Sequence, residues 1–170
     1  KTAYEILTCD WSSDVCSSDL YSYTWVGRKD LPQSTLKEVI DFARANPGKL
    51  NLGIGGIGSG QHVGAAILLK LTGVDMQEVN YRGAQPVYTD LLSGRVDLFY
   101  DNTTTARSYI DNGSVKALAV SSAARNPLLP AVPTITETGV AKLEMETWFG
   151  LFAPARTPQA IVDRLRAEVA

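Results

Sequence analysis

The feature that most constrains this chain is a regular strand–helix alternation running from Tyr21 to Val120. Short runs rich in β-branched, aromatic and other apolar residues read as strands: Tyr23-Thr24-Trp25-Val26, Lys49–Ile54, Glu78–Tyr81, Val96–Tyr100 and Val115–Val120. Between them lie segments whose apolar residues recur at helical spacing: Leu36, Val39, Ile40 and Ala43; then Val63, Ala66, Ile67 and Leu71; then Val87, Leu91 and Leu92. A fourth helix is predicted from Thr104 to Asp111. Thr35 with Glu38 forms a capping box at the first helix, and Asn46-Pro47-Gly48, Gly73, Gly94 and Asn112-Gly113 supply the stops. Strands that alternate with helices cannot pair as hairpins. They must lie mainly parallel, with the crossover helices covering both faces of the sheet. The predicted fold class is therefore α/β, and ligands of such sheets bind beyond the carboxyl ends of the strands. The loops there are Gly55–Gly60, Arg82–Gly83 and Asp101–Thr104. Past Val120, Pro127, Pro130 and Pro133 mark a loop, Thr134–Gly139 a short helix, and Glu144–Ala153 a strand containing Trp148 and Phe149. After Pro154 and Pro158 a last helix carries Ile161, Leu165 and Val169.

Charge and composition exclude several function classes. The 170 residues hold 16 Lys and Arg against 18 Asp and Glu, with no basic stripe, so there is no electrostatic footprint for nucleic acid or an anionic membrane surface. No apolar run is long enough to cross a bilayer. One histidine, His62, and two cysteines, Cys9 and Cys16, in no recognised spacing offer too few ligands for a metal site. Residues Asp10–Leu20 (DWSSDVCSSDL) have neither helical period nor turn logic and resemble a translated sequencing-adapter read; residues 1–9 then belong to an unknown context, and residues 1–20 carry no functional expectation.

The sharpest local motif is Gly53-Ile54-Gly55-Gly56-Ile57-Gly58, a G-x-G-x-x-G that follows a strand and opens a helix. The dinucleotide fingerprint also needs an acid at the end of the next strand, where Asn80-Tyr81-Arg82 stands; Arg82 serves instead only if a 2′-phosphate is read. A nicotinamide-dependent oxidoreductase domain is thus the alternative reading. A Walker A loop is excluded because Ser59-Gly60 replaces Lys-Ser/Thr, and a nucleophile elbow because Ile57 and Gln61 flank Ser59 at the glycine positions. The remaining chemistry is that of an anion cradle: backbone N–H groups of Gly55, Gly56, Ile57, Gly58, Ser59 and Gly60 at a helix N-terminus, followed by Gln61 and His62. It suits a carboxylate as well as a phosphate. Tyr81-Arg82-Gly83 places a guanidinium fork at a second strand end. Asp101 and Asn102 place acceptors for a ligand hydroxyl or amine at a third; helix capping is the structural alternative for that pair, and a helix-start hydrogen bond for His62.

Seven stretches in order resemble one family, the substrate-binding receptors of tripartite tricarboxylate transporters (Bug or TctC-like proteins): Ser34–Leu50, Gly53–His62, Gly73–Gly83, Tyr88–Asn102, Val115–Ser122, Leu129–Gly139 and Thr147–Pro158. The resemblance spans about residues 22 to 170. It implies a periplasmic-binding-protein-like flytrap with no catalytic residues, metal or cofactor, located in the periplasm. Its small carboxylate ligand is held by backbone N–H groups and passed to the membrane permease subunits. Carried onto this chain, it implies a crossing strand within 21–33, a ligand-binding second domain over 34–146, and a return through a crossing strand into the first domain over 147–170. The family's loop is often GSAGxGSxxHL; here Ile54 and Gly55 stand for the Ser-Ala and Gln61 precedes His62, which alters ligand identity rather than binding class. Nothing upstream of Tyr21 matches the family's first-domain carboxylate loop, so the chain is expected to be a fragment covering roughly half a receptor, to bind weakly by itself and to associate through exposed apolar surface.

Overall fold

Ser22 to Gly27 are buried without a break, which only an interior strand with cover on both faces allows. The computed structural model, which describes residues 4–7, 21–147, 151–154 and 156–169, has the elements β1 (Tyr4–Leu7), β2 (Tyr21–Arg28), α1 (Leu36–Ala45), β3 (Asn51–Ile54), α2 (Gly60–Thr72), β4 (Gln77–Asn80), α3 (Ala84–Leu92), β5 (Leu98–Asn102), α4 (Thr103–Asp111), β6 (Val115–Val120), β7 (Glu146–Thr147), β8 (Leu151–Pro154) and α5 (Gln159–Val169). They form two compact units: Tyr21–Thr147, and the described parts of 1–20 and 148–170.

In the larger unit the strand order is β4-β3-β5-β2-β6, with β7 pairing the start of β2. β3 is parallel to both β4 and β5, while β2 is antiparallel to β5, β6 and β7. The sheet is thus parallel in all its strands but one, and that one lies in its interior. β2 departs from the expectation: it is followed by α1 and then β3 like the other strands of the alternation, yet it runs against its neighbours β5 and β6, because α1 leads to a strand that does not pair with it. Its side chains alternate between two cores. Tyr23 and Trp25 join α1, α2 and Tyr100 on one face; Val26 joins α3, α4 and Phe99 on the other.

The predicted capping box is present: Thr35 Oγ1 accepts from Glu38 N–H at 3.2 Å, and Glu38 Oε2 accepts from Ser34 N–H at 2.8 Å. Leu36, Val39, Ile40 and Ala43 are all buried, as their spacing predicts. The prediction for α2 is corrected. Val63, Ile67 and Leu71 are 43, 39 and 57 % exposed, and the buried stripe is Gly64, Ala65 and Leu68. The helix is apolar nearly all round, so periodicity cannot choose its inner face. Close approach chooses it, because a Cβ on Gly64 would stand 2.4 Å from Tyr100 Cε1. In α3, Val87 and Leu91 are buried but Leu92 is exposed, and Tyr88 takes the inner position. Thr134–Gly139 is a set of turns rather than a helix: Thr134 and Glu137 cap each other (2.8 and 3.1 Å), but Gly139 at φ 71° ends the segment before a second turn forms.

In the smaller unit β1 pairs antiparallel with β8. There α5 buries Val162, whereas Ile161 and Leu165 are exposed. Residues 10–20, with Cys9, Trp148 and Phe149, lie outside the described residues. No described helix is long and apolar enough to cross a membrane.

Candidate functional site

The parallel register (Ile54 beside Asn80, Gly53 beside Phe99) brings the carboxyl ends of β3, β4 and β5 to one edge of the sheet. The three predicted loops meet there. Gly83 N–H donates to Gly55 O at 2.7 Å and Tyr81 N–H to Ile54 O at 2.8 Å, tying the second loop to the first. Gln61 Nε2 donates to Asp101 Oδ1, tying the first to the third. From this edge start α2, α3 and α4, and none of the three carries an acidic residue in its first turn. By contrast α1 has Glu38 there. Three helix N-termini without a first-turn acid favour an anion at this edge, although the buried Asp101 carboxyl already stands just before the start of α4.

The loop Gly55–Ser59 is shaped by its own hydrogen bonds. Ser59 caps α2, its Oγ accepting from His62 N–H (3.3 Å) and donating to Gly56 O (2.7 Å). Gly58, at φ 78°, turns its N–H onto His62 Nδ1 at 2.9 Å. His62 therefore acts as the helix-start hydrogen bonder, and its Nε2 lies 3.5 Å from Glu78 Oε2. Among the described residues no protein acceptor takes the N–H groups of Gly56, Ile57, Gly60 or Gln61. Gly60 is obligatory for a different reason: a Cβ would lie 2.1 Å from the Tyr23 hydroxyl, so the helix start rests directly on the β2 aromatic. Gly53, the first glycine of the fingerprint, lies inside β3 rather than in a phosphate turn.

At the third strand end Asp101 is fully buried. Its second oxygen accepts from the Tyr88 hydroxyl at 3.0 Å. Burial pushes its carboxyl above the ordinary range, opposed by hydrogen bonds from the Asn102 backbone, Tyr88 and Gln61. Tyr88, stacked on Tyr109 at 3.8 Å, was not singled out by sequence; a tyrosine inside an amphipathic helix carries no signal of its partner. Asn102 occupies the N-cap position of α4 without capping it, and its buried Oδ1 has no partner. Its pairing with Tyr23 puts it on the α2 side of the sheet. Tyr81 is committed to Asp90 (2.8 Å), and its hydroxyl is pushed up to about 12, by burial first and Asp90 second. Arg82 is exposed and enters no ion pair among the described residues.

An α/β sheet with several helix starts along one edge is the architecture of periplasmic solute-binding proteins. The solved structures similar to this chain have that fold. An R. palustris protein, Rpa4515 with adipate, superposes with TM-score 0.84 at 35% identity over 88% of this chain and 50% of that one. The periplasmic binding protein BugD gives 0.79 at 37% over 85% and 48%. Residues 12–170 match the Tripartite tricarboxylate transporter family receptor family, and the chain belongs to it. A UPF0065 protein from the tcbD-tcbE intergenic region of Pseudomonas sp. (strain P51) is 42% identical over 135 residues, 79% of this chain and 40% of that protein. The chain therefore spans two fifths to a half of the length of these three relatives.

Proposed function

We propose that this chain carries the second-domain half of a periplasmic receptor that captures a small carboxylate for a tripartite tricarboxylate-type transporter and presents it to the membrane permease. In this reading residues 34–146 are the ligand-binding lobe, and the crossing segments lie in 21–33 and from 147 onward. The observation that carries it is the set of unpartnered N–H groups on Gly56, Ile57, Gly60 and Gln61, at an edge where three helices begin without a first-turn acid. Those donors fit one carboxylate group, and exposed Arg82 is positioned by sequence at the neighbouring strand end to fork onto it. The adipate held by the R. palustris relative is consistent with a dicarboxylate ligand. The role is binding without catalysis.

NMR titration of the 15N-labelled chain with adipate, succinate, phosphate and NADP tests this. Saturable shifts at Gly56, Ile57, Gly60 and Gln61 with either dicarboxylate, weakened about tenfold by Arg82→Ala, are expected. Shifts confined to phosphate or to NADP would favour a dinucleotide site and overturn the proposal. An unchanged affinity in Arg82→Ala would remove Arg82 from the site.

A further inference from the structure

Tyr23 belongs to none of the three loops at the strand ends, yet its side chain ends beside one of them. The residue is only 4 % exposed, and its ring stacks on Tyr100 with centroids 5.0 Å apart. Pairing with Asn102 places it at the edge where β5 ends and α4 begins. Its main chain is fully engaged: the N–H donates to Ser121 Oγ and the carbonyl accepts from Ser121 N–H, both at 2.9 Å. The hydroxyl is not. It lies against Gly60, the first residue of α2, so closely that a Cβ there would stand 2.1 Å from it. No group among the described residues forms a hydrogen bond with it. Nor is it sealed from solvent, as the unpartnered Tyr100 hydroxyl is.

A tyrosine hydroxyl at the end of a buried ring is costly unless it finds a partner. Phenylalanine would fill the same stack, and any side chain at position 60 would close the space above it. The combination of Tyr23 and Gly60 instead carries a free hydroxyl up to the helix start, where the N–H groups of Gly60 and Gln61 have no protein acceptor. The polar side chains of that start are committed elsewhere. Ser59 Oγ donates to Gly56 O, Gln61 Nε2 donates to Asp101, and His62 Nδ1 accepts from Gly58 N–H. A phenol donates well to an ionised carboxylate, and such charge-assisted bonds are stronger than neutral ones. Resting on the receptor reading above, we propose that Tyr23 is a further ligand-binding residue, whose hydroxyl donates to the carboxylate held by the Gly60 and Gln61 N–H groups. The site then takes a donor from β2, a strand that precedes all three loops in the chain, as well as from the glycine loop itself.

The test uses adipate and succinate on the full chain. Affinity is read by NMR titration, so that millimolar binding is measurable, and the stability of the ligand-free chain by urea unfolding. Tyr23→Phe removes one oxygen and keeps the ring stack. It should weaken binding of both dicarboxylates about tenfold or more. Ligand-free stability should change little, because the hydroxyl has no protein partner to lose. In the unaltered chain the 13Cζ signal of Tyr23 should move along the same titration curve as the amides of Gly60 and Gln61. Tyr100→Phe, which removes the sealed hydroxyl of the neighbouring ring, should keep the affinity within about twofold. A merely structural hydroxyl gives the converse: Tyr23→Phe lowers ligand-free stability and leaves affinity unchanged. That result would overturn the inference while the receptor reading stands. Equal weakening by Tyr100→Phe would also overturn it, since the ring stack rather than the Tyr23 oxygen would then set the affinity. Loop amides that fail to shift with either dicarboxylate in the unaltered chain would remove both readings. If Tyr23→Phe does not fold, the 13Cζ signal decides: movement together with Gly60 and Gln61 supports the assignment, and a stationary signal while those amides shift overturns it.

Discussion

Gly64 in α2 provides a sign test of how this fold is packed. In a helix interior, Gly→Ala stabilises by about 1 kcal/mol through backbone entropy alone. Here the added methyl would stand 2.4 Å from Tyr100 Cε1 and 2.7 Å from Met145 Sδ. Ordinary carbon contacts lie at roughly 3.5–4.0 Å, so something must move by about 1 Å. Met145 can swing aside, but Tyr100 is held between Tyr23 and Trp25, with ring centroids 5.0 Å away on each. Overpacking against a ring that cannot retreat costs about 1–3 kcal/mol. Set against the helix gain, Gly64→Ala should destabilise the Tyr21–Thr147 unit by about 0–2 kcal/mol, and Gly64→Val, with a branched side chain, by clearly more. Urea unfolding followed by far-UV circular dichroism reads both. A Gly64→Ala variant more stable than the parent by about 1 kcal/mol would refute the reasoning, because it would mean that the helix does not approach the sheet this closely.

Further outcomes follow from individual contacts. Thr35→Ala removes the acceptor for Glu38 N–H and should cost about 1 kcal/mol, with faster hydrogen exchange confined to the first turn of α1; unchanged exchange there would contradict the cap. At the opposite edge from the site Asp97 accepts from Arg28 Nε (2.9 Å) and Asn51 N–H (2.8 Å), so Asp97→Ala should cost about 2–3 kcal/mol in the same unfolding assay, and a loss below about 0.5 kcal/mol would show the clasp to be idle. Because burial raises the Asp101 carboxyl, the folded state holds its proton more tightly than the unfolded chain does. The stability this contributes is complete below the unfolded carboxyl range and is lost as pH rises through it toward the raised value. Asp101→Asn should therefore show a flatter loss of stability with rising pH over that window, and parallel curves would rule this out. His62→Ala frees Gly58 N–H, whose exchange should rise well above that of Ser59 N–H; equal protection before and after would dissociate His62 from the loop.

The sequence carried the local rules far. The capping box at Thr35–Glu38, the left-handed stop at Gly73 and the order of strands and helices through Val120 all follow from side-chain chemistry within a few residues, and all are present. Local chemistry also located the strand ends that meet at one edge, because a parallel sheet has only one edge where its carboxyl ends can lie. Three things depended on distant residues. The inner face of α2 was decided by Tyr100, thirty-six positions beyond Gly64, since a helix apolar on every side has no preferred face until something packs on it. The capped segment at Thr134 stayed a turn because nothing beyond Gly139 continued the helix. Gln61 was legible as part of the cradle from its place after the glycine loop, but only the tertiary structure brings its amide to Asp101, which also holds the Tyr88 hydroxyl. Local sequence determines which elements form and where they stop, because those energies are set by neighbours along the chain. Which faces they bury and which polar groups they leave unmatched is decided by tertiary structure, because those energies depend on residues that meet only in the fold.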